Sequence, residues 1–237
     1  MSQNRFIGVN GTLPWPSCQE DRANFQRLTN NKILIVGRNT YQEDLQLRHI
    51  QHVKWCLVVT TSITEPDQLV PHPSILAKHS TRVMVVPSLT KALSMAQQLV
   101  LKSQQKSPDT TTTSSSSQQD HDRHPSHDNM DNHYHSTTTA AVAVQKEDEL
   151  HCWVAGGERI YEEALQHPMA QQIHWTIMHV TIQVRHGQSY ALFPAKHRWD
   201  RFFEPISQVQ GGGPTQQEPH APYFTYIIMM RKQYVNF

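Results

Sequence analysis

Short apolar runs alternate with segments of helical character along most of this chain, and that alternation leaves few folds open to it. The first run is Ile33 to Val36, and similar runs begin at Trp55 (WCLVV), at Arg82 (RVMVV) and before the glycine pair in ELHCWVAGG. The apolar residues of SLTKALSMAQQLVL fall mostly three or four apart, which is the spacing of one helical face. Short apolar strands that alternate with helices predict an α/β protein with a largely parallel sheet.

The two ends of the chain add detail to this pattern. Two apolar runs near the C-terminus, IHWTIMHVTI and YFTYIIMMRKQYV, have no predicted helix between them, so we expect antiparallel pairing there. The segment Gln19 to Thr29 carries acids early and arginine late, which favours a helix. The opening NRFIGVNGTLPWP contains two glycines and two prolines, and we expect a loop. The predicted fold class is α/β, with a central, mostly parallel sheet, an antiparallel C-terminal edge and flanking helices.

One polar stretch interrupts the alternation. Residues Ser103 to Thr139 are rich in Ser, Thr, Gln, Asp and His and contain almost no apolar residue. Such a segment cannot bury enough apolar surface to offset the entropy lost on ordering, so we expect it to be disordered. We place the whole insert at about residues 103–147 of a single domain that spans residues 1–237. The remainder, roughly 200 residues, is enough for one well-filled core.

Charge and composition exclude several classes of function. The formal net charge is +1 and no dense run of Lys or Arg occurs, which argues against a nucleic-acid partner. No apolar run reaches the length of about 18 residues that a membrane-spanning helix needs, so we expect a soluble protein without membrane association. The three cysteines lack metal-ligand spacing and indicate reduced thiols of an intracellular, cytoplasmic protein. The histidines of HDRHPSHDNMDNHYH also lack a fixed ligand spacing, and no metal site is expected.

Two junctions at which a predicted strand meets glycine and then a helix indicate a phosphate-bearing ligand. They are IVGRNT, around Gly37, and VAGGE, around Gly156 and Gly157. Glycine allows a ligand to approach the backbone, and the helix N-terminus that follows offers unpaired N–H groups to phosphate. Arg38 adds a positive charge at the first junction. Together they predict a dinucleotide across the carboxyl ends of the strands, although each junction alone is also compatible with a plain turn or helix entry.

The predicted helix that follows the tripeptide LPW carries a candidate acid. Asp21 lies one turn before Phe25 on the same side of this helix. An acid at this position is also favoured by the helix dipole without any catalytic role. Core packing and ligand stacking predict the same burial for Phe25, and Trp15 of the LPW motif is equally compatible with plain packing.

Five segments, taken in their order along the chain, resemble the dihydrofolate reductase family. IGVNGTLPW is similar to that family's mobile active-site loop, and DRANFQRLT to the acid-bearing helix that follows it. IVGRNTY and WVAGGERIYEEAL resemble the two glycine junctions with their helices, and HWTIM resembles the strand that supplies a threonine partner to the acid. The order and local spacing of the five segments make this resemblance more specific than any one of them.

The resemblance implies NADPH-dependent reduction of 7,8-dihydrofolate to 5,6,7,8-tetrahydrofolate, with hydride transfer to C6 and protonation at N5, in support of one-carbon metabolism. Dihydrofolate and NADPH are therefore the expected ligands. By the same resemblance, Asp21 is the acid of the pterin pocket, Thr176 hydrogen-bonds to it, and Trp15 holds an ordered water beside it. Phe25 would stack against the pterin and the benzoyl ring. A carboxyl group in an apolar pocket has a raised pKa and can help deliver a proton near neutral pH.

The resemblance also implies a set of cofactor contacts. Ile7 would contact the nicotinamide amide through its backbone, and Tyr161 would pack beside the nicotinamide. Gly156 and Gly157 would pass under the cofactor. The remaining residues of the implied set are Arg38 and Thr40 at the phosphates, Thr60 and Thr61 near the adenosine 2′-phosphate, and Gly37 and Ala155 at the junctions.

Three features depart from the family pattern. Lys54 stands where an arginine is expected to bind the substrate's glutamate carboxylate, and lysine keeps the charge but loses the planar, two-pronged contact. Arg22 follows Asp21 at a position where the family usually has an apolar residue. The segment QEDLQLRHIQH, which should form the wall of the benzoyl-glutamate pocket, is unusually polar. The family begins with an apolar strand just before the stretch matched by SQNRFIG, and we expect that strand to be absent here. We therefore expect two strands to face a gap, and the chain to be poorly stable or to draw another segment into it.

Two alternatives remain open. The chain could be a non-catalytic or truncated reductase-like remnant, which the expected missing strand and Lys54 favour. It could also be the related pyrimidine reductase of riboflavin synthesis, although LPW followed by Asp21 and Phe25 argues against this. Some protist and plant members of the resembled family continue into a thymidylate synthase, and we find no such domain in these 237 residues.

Overall fold

The computed structural model of the protein describes residues 1–43, 51–64, 68–69, 80–104 and 152–233. The α-helices of this part of the chain are α1 (Gln19–Thr29), α2 (Arg38–Glu43), α3 (Leu89–Gln104) and α4 (Glu158–Gln166). Its strands are β1 (Phe6–Val9), β2 (Ile33–Gly37), β3 (Trp55–Val59), β4 (Val83–Val86), β5 (Cys152–Val154), β6 (Gln172–Met178), β7 (Tyr190–Leu192), β8 (Phe203–Gly212) and β9 (Tyr223–Arg231). Short 3₁₀ turns lie at Ser80–Arg82, Lys196–Arg198 and Asp200–Phe202.

A four-stranded parallel sheet forms the centre of the fold, in the order β4-β3-β2-β5. Side chains of a strand point alternately to its two faces, and β2 is buried on both of them. Ile33 and Ile35 pack with Leu89 of α3 and Ile160 of α4 in one apolar cluster. Leu34 belongs to the cluster that also holds Tyr41 of α2, with Phe25 of α1 packed against it. The predicted parallel sheet with flanking helices is therefore confirmed.

The C-terminal strands form a separate antiparallel sheet, in the order β6-β9-β8. This confirms antiparallel pairing near the C-terminus. The prediction of one continuous sheet is not matched, because the described strands form three hydrogen-bonded sheets. The third sheet pairs β1 with β7, so the expectation that the whole opening segment is a loop is wrong for Phe6–Val9. The partner strand β7 lies far along the chain, and a local pattern cannot reveal such a pairing.

The first residues of the chain lie beside the end of β6. The Met1 amine donates to the Thr176 carbonyl at 2.7 Å, and Gln3 N–H donates to the Val180 carbonyl at 2.9 Å. Ser2 forms a parallel bridge with Met178 between them. Among the described residues, β5 pairs only with β2 and β6 only with β9 as strands. The remaining edges of β5 and β6 therefore have no strand partner among the described residues.

The helix predicted over Gln19–Thr29 has those bounds. The apolar runs IHWTIMHVTI and YFTYIIMMRKQYV extend farther than the observed strands, which end at Met178 and Arg231. Ser103 and Gln104 belong to α3, so the insert cannot start before residue 105. The rest of the insert, like residues 44–50 of the polar segment QEDLQLRHIQH, lies outside the described residues. None of the described helices is long and apolar enough to cross a membrane.

Candidate active site

Asp21 lies in the first turn of α1 and faces Thr176 in the middle of β6. Burial raises the pKa of the Asp21 carboxyl group above its ordinary value. The Thr176 side chain hydrogen-bonds to this carboxyl group, and that bond lowers the pKa, as does the positive charge of the Met1 amine. Glu20, the preceding residue, raises it. Burial is the largest of these effects, so the site favours a protonated acid more than water does.

An apolar cluster adjoins the first turn of α1. Cys18, Met178 and Phe224 are its buried members, and Trp15 and Tyr226 pack against it. Trp15 therefore contributes packing at the residues that lead into α1. Its implied role in holding a water molecule remains a prediction.

Two polar residues that the sequence analysis did not single out lie next to Thr176. Tyr226 is the register partner of Thr176 on β9, and its hydroxyl group is hydrogen-bonded to Nδ1 of His174. Burial, and then the nearby charge of Arg27, lowers the pKa of His174 to about 4, so the imidazole is neutral at neutral pH. His174 shares a face of β6 with Thr176 because the two are two residues apart. That spacing was visible in the sequence, whereas the pairing with Tyr226 was not.

The two predicted glycine junctions meet at the carboxyl ends of β2 and β5. The Gly37 N–H donates to the Gly156 carbonyl at 2.7 Å. Gly156 has a φ of 109°, and a Cβ atom there would lie 3.3 Å from the ring of Tyr161. A Cβ atom on Gly157 would lie 3.1 Å from Oγ1 of Thr40. The Gly156–Gly157 peptide bond is cis. A side chain at either position would press against Tyr161 or Thr40.

We call the site where Gly37 meets Gly156 and Gly157 the glycine cradle. A cation and several hydroxyl groups lie beside it, at the carboxyl ends of β2 and β3. Nη1 of Arg38 donates to Oγ of Ser62 at 2.8 Å, and Oγ1 of Thr60 lies 3.2 Å from the same atom. Thr61 is exposed between Thr60 and Ser62. Ser62 was not among the predicted site residues, although the run of hydroxyl residues after β3 was a visible signal. The group offers one positive charge and several hydrogen-bond donors.

Tyr161 connects the glycine cradle with the acid. Burial and then the nearby charge of Asp21 raise the pKa of Tyr161 to about 12, so its hydroxyl group stays protonated. The ring of Tyr161 lies 5.2 Å from that of Phe193, centroid to centroid. Ile7 and Tyr161 pack against the same apolar cluster, which contains Phe193. The structure therefore brings Ile7, Tyr161 and Asp21 into one region.

Phe25 on α1 contacts the segment that precedes β3, and Lys54 belongs to the same segment. The Phe25 ring contacts the ring of His52 edge-on, with the centroids 6.3 Å apart. Lys54 is partly buried two residues later, and its N–H donates to the Lys32 carbonyl at 2.9 Å. Lys54 therefore lies at the amino end of β3, away from the glycine cradle. Arg22 is 54% exposed and pairs with Glu218, which explains how a charge is tolerated after the acid.

In the part of the chain that the structure describes, no group of three or more His, Cys, Asp or Glu side chains could hold a metal ion. The insert histidines that the sequence analysis considered, in HDRHPSHDNMDNHYH, lie outside those residues. The two buried thiols, Cys18 and Cys56, are free, as is Cys152.

Comparison with known proteins gives partial matches that agree with one another. The family model described as dihydrofolate reductase matches residues 1–100. Dihydrofolate reductase type 8 of Escherichia coli is 39% identical over 62 residues, which cover 26% of this chain and 35% of the relative. The dihydrofolate reductase of Sus scrofa is 30% identical over 111 residues, covering 44% of this chain and 53% of the relative. Dihydrofolate reductase type A10 of Escherichia coli is 25% identical over 100 residues, covering 42% and 52%.

The alignments thus span about a third to a half of the length of these relatives. The family-model match contains Asp21, Phe25, Arg38 and Lys54 but ends before α4 and β6. Within its bounds the match to the dihydrofolate reductase family model agrees with the sequence motifs.

Proposed function

We propose that this protein reduces 7,8-dihydrofolate to 5,6,7,8-tetrahydrofolate with NADPH. The observation that carries the proposal is the half-buried Asp21, hydrogen-bonded by Thr176 and close to Tyr161 beside the glycine cradle. An acid with a raised pKa beside two glycine junctions that a cofactor could approach fits a reaction that needs one proton and one hydride. The match of residues 1–100 to the dihydrofolate reductase family model supports dihydrofolate as the substrate.

The residues of the cradle fit NADPH. A Cβ atom at Gly156 or Gly157 would intrude on the space next to Tyr161 and Thr40, so glycine keeps that space open to a ligand. Arg38, Ser62 and the neighbouring threonines would hold phosphate groups by charge-assisted hydrogen bonds. When bound, NADPH supplies the hydride. Ile7 and Tyr161 would then orient the nicotinamide end against the pterin.

Asp21 would bind the pterin amino group and N3, and promote protonation of N5. Burial helps the carboxyl group keep its proton nearer to neutral pH, where a general acid is most useful. The hydrogen bond from Thr176 would fix the direction of the carboxyl group, since its partner is fixed in the middle of a paired strand. Phe25 would stack on the substrate, and Lys54 would pair with its glutamate carboxylate.

The proposal is tested by the loss of NADPH absorbance after dihydrofolate is added to the purified protein. Turnover with dihydrofolate and none with a ribosylaminopyrimidine would support it. Turnover with the pyrimidine alone would favour the reductase of riboflavin synthesis. Binding of NADPH without turnover of either substrate would favour a non-catalytic remnant, and both of these results would overturn the proposal.

A further inference from the structure

The helix that carries Asp21 lacks a cap of its own. The residue before its first turn, Cys18, makes no side-chain hydrogen bond to the helix N-terminus. The first N–H groups of a helix have no partner within it and need an acceptor from elsewhere. Oε2 of Glu218 accepts a hydrogen bond from the Gln19 N–H at 2.5 Å. Glu218 lies in the connection between β8 and β9, so the cap comes from a distant part of the chain.

The Glu218 side chain makes several contacts with the start of α1. The Ser17 hydroxyl donates to its Oε1 atom, and Nη2 of Arg22 lies 2.9 Å from the same oxygen. Although Glu218 lies in a connection between strands, its side chain is only 16% exposed. The hydrogen bonds from Ser17 and Gln19 lower the pKa of Glu218, so the carboxylate stays ionised at neutral pH. A negative charge at this position also suits the positive end of the helix dipole.

A second carboxylate makes the reciprocal contact. Oε2 of Glu20, in the first turn of α1, accepts a hydrogen bond from the Gly212 N–H at 2.8 Å. A Cβ atom on Gly211 would lie 2.6 Å from Oε1 of Glu20 and 2.7 Å from the ring of Phe224. Gly212 has a φ of 72°, a conformation that glycine adopts without strain. The glycines therefore let the end of β8 approach α1 closely enough for the second contact.

The position of Glu218 is itself fixed by local hydrogen bonds. Its N–H donates to Oγ1 of Thr215 at 2.9 Å, and its carbonyl accepts the N–H groups of Thr215 and Ala221, both at 3.1 Å. The cap is thus supplied by an ordered turn. Each of the two segments gives one carboxylate to the other's backbone, and we call the pair formed by Glu218 and Glu20 the α1 clasp.

We propose that the α1 clasp holds the first turn of α1 against the sheet, and that Glu218 is thereby a positioning residue for Asp21, which directly follows Glu20. The proposal rests on the proposed function only for the role of Asp21 in the reaction. The contacts of the clasp do not include the Asp21 side chain, so the clasp acts through the backbone of the helix.

The physical consequence concerns the environment of Asp21. If the clasp is broken, the first turn frays, water reaches the carboxyl group, and its pKa falls toward the ordinary value. The titratable groups that interact with Asp21 are Glu20 and Cys18 at the start of α1, Tyr161 on α4, Tyr226 on β9 and the Met1 amine beside β6. Since protonated Asp21 promotes the reaction, a lower pKa moves the decline of turnover to lower pH. A fall of one unit makes turnover about tenfold lower at any pH above both values.

The test compares the pH profiles of Glu218→Gln, Thr215→Val and the parent protein, with Glu163→Gln as the matched control. Thr215→Val removes the hydroxyl group that positions Glu218, and both clasp variants keep Glu20, whose charge acts directly on Asp21. Glu163 pairs with Arg159 on the exposed side of α4, so its loss removes an ion pair away from α1. We expect both clasp variants to move the midpoint of the decline by about one unit to lower pH. Turnover at pH values below both midpoints should stay within about twofold of the parent. The control should keep the parent profile.

A second readout does not depend on activity. The carboxyl resonance of Asp21 in aspartate-labelled protein, assigned by its loss in Asp21→Asn, reports the pKa of Asp21 directly. A lower pKa in the clasp variants supports the clasp even if the protein turns out not to reduce dihydrofolate. An unchanged pKa and pH midpoint in the folded Glu218→Gln protein would overturn it, as would equal shifts in Glu163→Gln. If Glu218→Gln does not fold, Thr215→Val, which changes no charge, carries the same two comparisons.

Discussion

Burial makes a carboxyl group more useful as a general acid but also more costly to ionise, and both effects apply to Asp21. We expect Asp21→Asn to lower the turnover of dihydrofolate at neutral pH by about 10²–10⁴-fold, the usual loss when a general acid is removed. Affinity for NADPH should not change, since the implied cofactor contacts lie on other residues. Turnover and cofactor binding, measured on the same preparation, check both statements. Turnover near that of the parent protein would remove Asp21 from the proposed mechanism.

The effect of Asp21→Asn on stability should depend on pH and should favour the variant increasingly as the pH rises. Folding raises the pKa of Asp21, so the folded protein binds more protons than the unfolded chain once the pH exceeds about 4, the ordinary value of the group. The stability of the parent therefore falls as the pH rises through this window, whereas asparagine does not titrate. The melting temperature of Asp21→Asn relative to the parent should rise with pH from acid to neutral conditions. A difference that is independent of pH would show that the carboxyl group is not buried as described.

Lys54 provides a second test on a single side chain. Lysine offers a point charge, whereas arginine can bind a carboxylate with two parallel hydrogen bonds. If Lys54 pairs with the glutamate carboxylate of the substrate, Lys54→Arg should lower KM for dihydrofolate about tenfold, which corresponds to roughly 1.4 kcal/mol. The value of kcat should change little, because the contact is remote from the reacting ring. An unchanged KM would mean that another cation serves the carboxylate.

At the level of helices and strands, the sequence predicted those elements whose signal is local. The run Ile33 to Val36 is buried on both faces, and the acid-to-base gradient of Gln19–Thr29 marked α1 at its observed bounds. The strands β1, β7 and β8 were missed. β8 is exposed at most of its positions, so it shows no continuous apolar pattern, and β1 is held by a partner strand distant in sequence.

The residues of the candidate site also divide into those with a local signal in the sequence and those without one. The glycine junctions and Asp21 were predictable, since close backbone approach and a helix-borne acid leave a trace at one place in the sequence. Glu218 and Tyr226 were not, because their roles depend on the register of β9 and on the path of the connection between β8 and β9. No local pattern encodes a contact between residues about two hundred positions apart.

The connection between α3 and β5 can be tested as a unit. Its composition predicts that it contributes no core contact, and the described part of the chain begins and ends beside it in regular elements. Replacing residues 105–139 by a short Gly/Ser linker should leave turnover unchanged. Shortening the connection to about a third of its length should even stabilise the fold by about 1 kcal/mol through the loop-closure entropy. Loss of expression or turnover on deletion would show that the segment packs or acts.

For the whole molecule, the central question is how the parallel sheet and the antiparallel sheet are joined. β5 and β6 each have an edge without a strand partner among the described residues. Side chains from the two strands nevertheless meet, since the rings of Trp153 and His174 contact each other edge-on with centroids 4.8 Å apart. Backbone groups at such edges lack the regular pairing of a sheet interior, and unpaired groups cost free energy where they are buried.

The geometry at Met1 indicates how this region could be strengthened. Met1–Gln3 run parallel to the end of β6, so residues placed ahead of Ser2 would continue along Thr176 toward Gln172. A Val/Ile/Ala-rich hexapeptide placed there could pair with β6 and with the edge of β5. Two to four new backbone hydrogen bonds, at about 0.5–1.5 kcal/mol each, should raise the melting temperature by several degrees.

Turnover should rise together with stability, because Thr176 lies on the strand that the extension would support and also holds Asp21. The matched control is a hexapeptide of the same length rich in Gly, Ser and Asp, which has low strand propensity and no apolar side chains to pack. Thermal melting and steady-state turnover of the two extended proteins and the parent check the prediction. Equal melting temperatures in all three, with turnover unchanged, would mean that the edges of β5 and β6 gain nothing from a strand between them.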